Sequence, residues 1–105
     1  MAITERRIMK IKFDKWDEML SIERDFQKLE EDLGINSKKR WLRTTAGPLG
    51  YSNLIWERDW SDVGESEQAY ARMSETPQMA KLLERTIDCV TEMHNEYYQV
   101  VSVTS

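Results

Sequence analysis

The run Leu54-Ile55-Trp56-Glu57-Arg58-Asp59-Trp60 sets a cation two residues from each of two tryptophans. Alternate residues of an extended chain face one side, so Trp56, Arg58 and Trp60 share a face and the guanidinium lies between indole walls. That grouping can hold an anionic or aromatic ligand, the rings stacking and the guanidinium pairing with a carboxylate or enolate. It equally describes two core tryptophans with Arg58 snorkelling to a neighbouring carboxylate. The only histidine, His94, is spaced by four from Val90 and by seven from Ile87. This puts it beside an apolar helical stripe near the helix C-terminus, where a protonated ring meets the last carbonyls. A general base or a haem ligand is the chemical alternative, since imidazole titrates near neutrality. With one His and one Cys, a metal site would need carboxylates for nearly all its ligands, and no spacing suggests one.

Other charged groups read as scaffold. Glu57 and Asp59 point away from Arg58 and are expected to pair with cross-strand Lys39, Arg40 or Arg43. The acidic run Glu30-Glu31-Asp32 and the basic run Lys38-Lys39-Arg40 are expected to be solvated flanks of a helix end and a strand start. Cys89 has no cationic neighbour in sequence to lower its pKa and reads as an inert thiol. Gly47-Pro48-Leu49-Gly50 lacks the spacing of a phosphate loop, and no Gly-x-Ser-x-Gly elbow occurs.

The elements that must position these residues follow from periodicity. Between Arg6 and Phe13, Met9, Ile11 and Phe13 alternate with Lys10 and Lys12, which predicts a first strand. Met19, Ile22, Phe26, Leu29 and Leu33 then recur in steps of three and four, a helix from about Asp17 to Leu33 that Asp14 or Asp17 caps and Gly34 ends. Lys39–Thr45 and Tyr51–Trp60 read as strands of an antiparallel hairpin turned by Ala46-Gly47-Pro48-Leu49-Gly50. Ser61 or Asp62 caps a short helix through Met73, and Thr76-Pro77 starts a third helix with Met79, Leu82, Leu83, Ile87, Val90 and Met93 inside. Tyr97–Val103 reads as a closing strand. The order β-α-β-β-α-β, its second helical region broken in two, predicts a ferredoxin-like α+β fold with a four-stranded antiparallel sheet, one domain over residues 1–105.

Composition bounds the function. The net charge of −4 opposes binding to a phosphate backbone, so nucleic acid is not an expected partner. The N-terminal residues lack the apolar region of a secretory signal and no apolar stretch spans a bilayer, so a cytoplasmic protein without a membrane partner is expected. Helices cover one face of such a sheet, yet Tyr51 and Ile55, and Tyr97, Val101 and Val103, fall opposite to Trp56 and Tyr98 respectively. Apolar residues on both faces predict a homodimer.

The element order, the run Leu54 to Asp62, Glu67-Gln68-Ala69-Tyr70 and Thr76-Pro77 together resemble the dimeric α/β-barrel superfamily, with antibiotic-biosynthesis-monooxygenase-like and NIPSNAP-like domains as the nearest patterns. The resemblance implies a homodimeric barrel with a ligand space between sheet and helices in each subunit. Trp60 matches the end-of-strand position at which haem-degrading members keep a pocket tryptophan. Their histidine early in the following helix is not matched, because that region reads Gln78-Met79-Ala80-Lys81-Leu82-Leu83. No cofactor is therefore expected, and the resemblance implies a cofactor-independent monooxygenase-like activity on an aromatic or apolar anion. A non-catalytic dimerisation or ligand-sensing module is the alternative. Trp56, Arg58, Trp60, Met9 and His94 are the candidate ligand-binding residues.

Overall fold

In the computed structural model, which describes residues 1–104, the elements are β1 (Ile3–Ile11), α1 (Trp16–Asp32), β2 (Arg40–Arg43), β3 (Asn53–Trp60), α2 (Val63–Ser74), α3 (Pro77–Cys89) and β4 (Val90–Gln99). The four strands form one antiparallel sheet in the order β2-β3-β1-β4. This is the expected ferredoxin-like α+β architecture.

Local signals set the helix boundaries. Gly34 sits at φ 72°, and the amides of Gly34 and Ile35 donate to the carbonyls of Glu31 and Glu30 (3.0 and 2.9 Å). That pair of bonds is the Schellman closure, which needs a left-handed residue at this position. Asp62 caps α2 by accepting from the Glu65 amide (2.8 Å). Thr76 caps α3 through the Met79 amide (3.3 Å), with Pro77 opening the helix. At α1 the expected aspartate cap is replaced by Lys15, which makes no side-chain cap; Asp17 lies within the first turn, where its charge complements the helix dipole.

The main differences from the sequence reading lie at the α3–β4 junction and at the ends of β1. α3 stops at Cys89 and β4 begins at Val90, seven residues before Tyr97. Ile87, Val90 and Met93 happen to continue a helical spacing, but β1 presents a long edge that residues 90–99 pair along, and that pairing overrides the local period. His94 is consequently not at a helix C-terminus; it is an exposed strand residue opposite Ile8, with Nε2 3.8 Å from Glu92. β1 starts at Ile3 and ends at Ile11, which leaves Phe13 97% exposed outside the strand.

The helices cover one face of the sheet. Across that face run Trp60 and Ile3, then Arg58, Glu5 and Tyr97, then Trp41, Trp56, Arg7 and Asn95, then Arg43, Leu54, Met9 and Met93. Met9, Ile11, Leu54 and Trp56 pack there against Met19, Ile22, Phe26 and Leu29 of α1, Met73 of α2, and Leu82 and Cys89 of α3. The opposite face carries the rows Arg40, Glu57, Arg6, Glu96 and Leu42, Ile55, Ile8, His94. Its apolar strip is narrower than expected, since Tyr97 belongs to the helix side and Tyr51, Val101 and Val103 lie outside the strands. Glu57 pairs with Arg6 of β1 (2.9 Å), not with Lys39, Arg40 or Arg43, and Asp59 accepts from the Thr4 hydroxyl (2.7 Å).

Candidate functional site

Between the sheet and the helices lies a cavity of about 280 Å³. Its floor is made by Glu5 and Arg7 of β1, Trp56 of β3, and Asn95 and Tyr97 of β4. Phe26 of α1, Tyr70 and Met73 of α2, and Met79 and Leu83 of α3 form apolar and aromatic walls, while Glu23, Glu30 and Lys39 supply charge at one side. The volume sits at the small end of ligand sites and suits a compact ring system.

Most charges around this space are already matched. Glu30 receives Nη1 and Nη2 of Arg58 (3.3 and 2.5 Å) and Nζ of Lys39 (3.0 Å). Glu23 receives the Trp41 indole N–H (2.9 Å) and faces Lys39 at 3.8 Å. The Lys39 ammonium also lies 4.7 Å from the Trp56 ring centroid and 5.2 Å from that of Phe26, a cation held between aromatic faces. Both runs read as solvated flanks therefore contain a buried member: Glu30 is 2% exposed and the Lys39 side chain 4%. Helical phase explains Glu30, which lies one residue past Leu29 and seven past Glu23 and so borders the apolar stripe.

Glu5 is fully buried and accepts four hydrogen bonds, from the Trp60 indole (2.9 Å), the Tyr70 hydroxyl (2.6 Å), the Asn95 amide (3.1 Å) and the Tyr97 hydroxyl (3.4 Å). Burial, and then the charge and hydrogen bond of Glu5, push the Tyr70 hydroxyl far above the ordinary tyrosine range. Tyr97 is shifted in the same direction, by burial first and by Glu5 next.

Arg7 is different. Its Nε donates to Asn95 Oδ1 (3.1 Å) and its guanidinium lies 5.1 Å from the Trp56 ring centroid. Among the described residues it makes no ion pair. It is the lining cation that a bound anion would meet without displacing a carboxylate.

Of the residues singled out from sequence, Trp56, Arg58, Trp60 and Met9 all face the helices, and all are 3% exposed or less. Trp56 lines the cavity, whereas Arg58, Trp60 and Met9 lie outside its lining. Arg58 is engaged throughout: besides Glu30 it donates from Nη2 to the Ser37 carbonyl (2.7 Å) and from Nε to the Ser37 hydroxyl (3.3 Å). Burial works against this cation, but Glu30 outweighs it and holds the guanidinium above its ordinary pKa. The core alternative for Arg58 is the arrangement seen. His94, on the opposite face, is separated from the cavity by the sheet. Glu5, Arg7, Tyr70, Asn95 and Tyr97 were not singled out; carrying the Met9–Ile11 alternation back by two and four positions would have put Arg7 and Glu5 on the apolar face.

Cys89, 1% exposed at the end of α3, has its thiol pKa pushed up chiefly by burial. Among the described residues no cluster of His, Cys, Asp and Glu has the arrangement of a metal site, and no helix is long and apolar enough to cross a membrane.

By sequence, the chain matches no protein-family model and no curated protein. By structure it is similar to a NIPSNAP family protein from Agrobacterium tumefaciens (TM-score 0.81, 17% identity, covering 98% of this chain and 89% of that one). It is likewise similar to an uncharacterised NIPSNAP domain protein from Burkholderia xenovorans (TM-score 0.79, 14% identity, 98% of each chain). A third similar structure is SnoaB, a cofactor-independent oxygenase from Streptomyces nogalater (TM-score 0.71, 10% identity, 97% of this chain and 95% of that one). Over nearly its whole length, then, this chain has the ferredoxin-like fold that NIPSNAP proteins share with a cofactor-independent oxygenase, the fold its strand and helix order led one to expect.

Proposed function

We propose that this chain is a cytoplasmic small-molecule-binding protein that works as a homodimer and takes an aromatic or apolar anion into the cavity between sheet and helices. The observation that carries this reading is Arg7, a lining cation that makes no ion pair among the described residues and lies beside Trp56 and the aromatic and apolar walls. Arg7 takes the role that the sequence reading gave to Arg58, because Glu30 already neutralises Arg58.

Charge arrangement on the open face supports the second copy. Arg40, Glu57, Arg6 and Glu96 alternate in sign across the sheet. A two-fold axis lying in the interface along the strands reverses that row, so each charge meets its opposite, and Ile55 meets Ile8 in the neighbouring row.

A cofactor-independent oxygenation, the activity named for SnoaB, is compatible with the site. The substrate would itself supply electrons to dioxygen, and this chain would contribute orientation, a dry cavity and the positive charge of Arg7 beside a developing enolate. A ligand-sensing role without catalysis is the second reading. It is favoured by the way Glu5, Glu23 and Glu30 are each already bonded within the protein, so that a carboxylate could act as a base only after one of those bonds gives way.

Calorimetric titration with benzoate and benzyl alcohol tests the binding reading. Arg7→Met should weaken benzoate by roughly ten- to a hundredfold, the worth of one charge-assisted contact, while changing benzyl alcohol little. Equal loss for both, or none, would remove Arg7 as the anion site. Oxygen uptake with a hydroxylated aromatic acid separates the two roles: consumption supports the oxygenase, and binding without consumption supports the sensor.

A further inference from the structure

The two ends of the cavity have opposite hydrogen-bonding character. At one end Arg7 offers only donors. At the other, the hydroxyl hydrogens of Tyr70 and Tyr97, the Trp60 indole N–H and one N–H of the Asn95 amide are directed at Glu5, so its carboxylate meets a ligand as an acceptor. Glu5 and Arg7 are two residues apart on one strand face, a step of about 7 Å. The four bonds to Glu5 are unequal. Three lie between 2.6 and 3.1 Å, whereas the Tyr97 bond is 3.4 Å long and comes from a residue that is 49% exposed. That bond is the one a ligand can replace.

Resting on the anion-binding reading above, we propose that the ligand is a hydroxyaryl acid, whose anionic group meets Arg7 and whose hydroxyl, at the far side of the ring, donates to Glu5 Oε2 in place of Tyr97. Glu5 is thereby a specificity-determining residue. A buried carboxylate selects strongly for a donor, because an analogue with an ether oxygen at that point sets lone pairs against lone pairs. The aromatic and thioether walls fit the ring, and the small volume restricts it to a compact scaffold.

The test is calorimetric titration of the full chain with 4-hydroxybenzoate, benzoate and 4-methoxybenzoate. The hydroxy acid should bind about tenfold more tightly than benzoate, and the methoxy acid more weakly than either. Tyr97→Phe removes the competing donor and should raise the ratio of 4-hydroxybenzoate to benzoate affinity. Glu5→Gln should bring that ratio to about one; should this variant fail to fold, Tyr97→Phe alone decides. Equal binding of 4-hydroxybenzoate and benzoate, or an unchanged ratio in Tyr97→Phe, overturns the hydroxyl selection. If both acids bind equally and both weaken in Arg7→Met, the anion site stands and only the present inference falls. Absence of binding by all three acids at millimolar concentration defeats the anion site, and this inference with it.

Discussion

Replacing Arg58 by Met tests the division between scaffold and site. Methionine keeps an unbranched apolar stem of comparable reach, so the change removes the charge and its hydrogen bonds with little loss of packing. The Arg58 side chain is 0% exposed and its partner Glu30 3% exposed, so solvent screening of this pair is slight. Removing one partner of a buried pair costs about 3–5 kcal/mol, because the remaining charge stays desolvated. Here Lys39 remains 3.0 Å from Glu30 Oε2, which places the expected loss at the low end, about 3 kcal/mol. With a total stability of about 5–15 kcal/mol for a domain, that is a large fraction. In urea, at about 1–3 kcal/mol per molar, the midpoint should fall by roughly 1–3 M. Adding Glu30→Leu to Arg58→Met removes the under-paired carboxylate but leaves the buried Lys39 ammonium with only Glu23 at 3.8 Å, so it should recover only part of the loss. A midpoint shift below about 0.3 M in Arg58→Met, measured against that same urea slope and accompanied by weaker binding of benzoate, would mean that Arg58 is not scaffold and return it to the ligand.

Two further expectations concern assembly and pH. Light scattering at micromolar concentration should give about twice the chain mass of 12.5 kDa, and Glu57→Arg, which breaks the sign alternation of the open face, should lower it; a wild-type monomer would remove the two-fold argument. Tyr70 binds its proton more tightly in the folded chain, so its contribution to stability is complete below the unfolded tyrosine value near 10 and is lost as pH rises beyond it. Urea midpoints should therefore drop between pH 9 and pH 11, and less steeply in Tyr70→Phe, with Tyr97 supplying a residual slope of the same sign; identical slopes in both proteins would show that the Tyr70 hydroxyl is not held by Glu5.

The sheet and helices were legible because their signals are local: alternation at Met9 and Ile11, the stripe from Met19 to Leu29, Gly34 as a left-handed stop, and Thr76-Pro77 as a start. The α3–β4 junction was not, because nothing between Ile87 and Met93 marks a break; only pairing with β1 turns Val90 into a strand residue and carries His94 to the opposite face. For the site, alternation correctly put Trp56, Arg58 and Trp60 on one face, but sequence cannot say which cation a distant carboxylate neutralises. Glu30, 28 residues before Arg58, decides that, and among the described residues Arg7 is the lining cation left without an ion pair. Lys39 and Glu30 were hidden by runs of like charge, where helical phase and not local composition determines which member points inward.

Glu5 also has a consequence for how the chain reaches its native state. Its four donors lie 55, 65, 90 and 92 residues further along the sequence, on β3, α2 and β4. β1, synthesised before the other three strands of the sheet, is thus a central strand, and its carboxylate stays wet until β4 has left the exit tunnel. Contacts of such sequence separation form late and slow folding. During synthesis β1 exposes two unpaired edges to other nascent chains, with Arg6, Arg7 and Lys10 as the charges that discourage their pairing. Of the three, exposed Lys10 makes no ion pair among the described residues, so loss of its charge should be felt first in the yield of soluble protein.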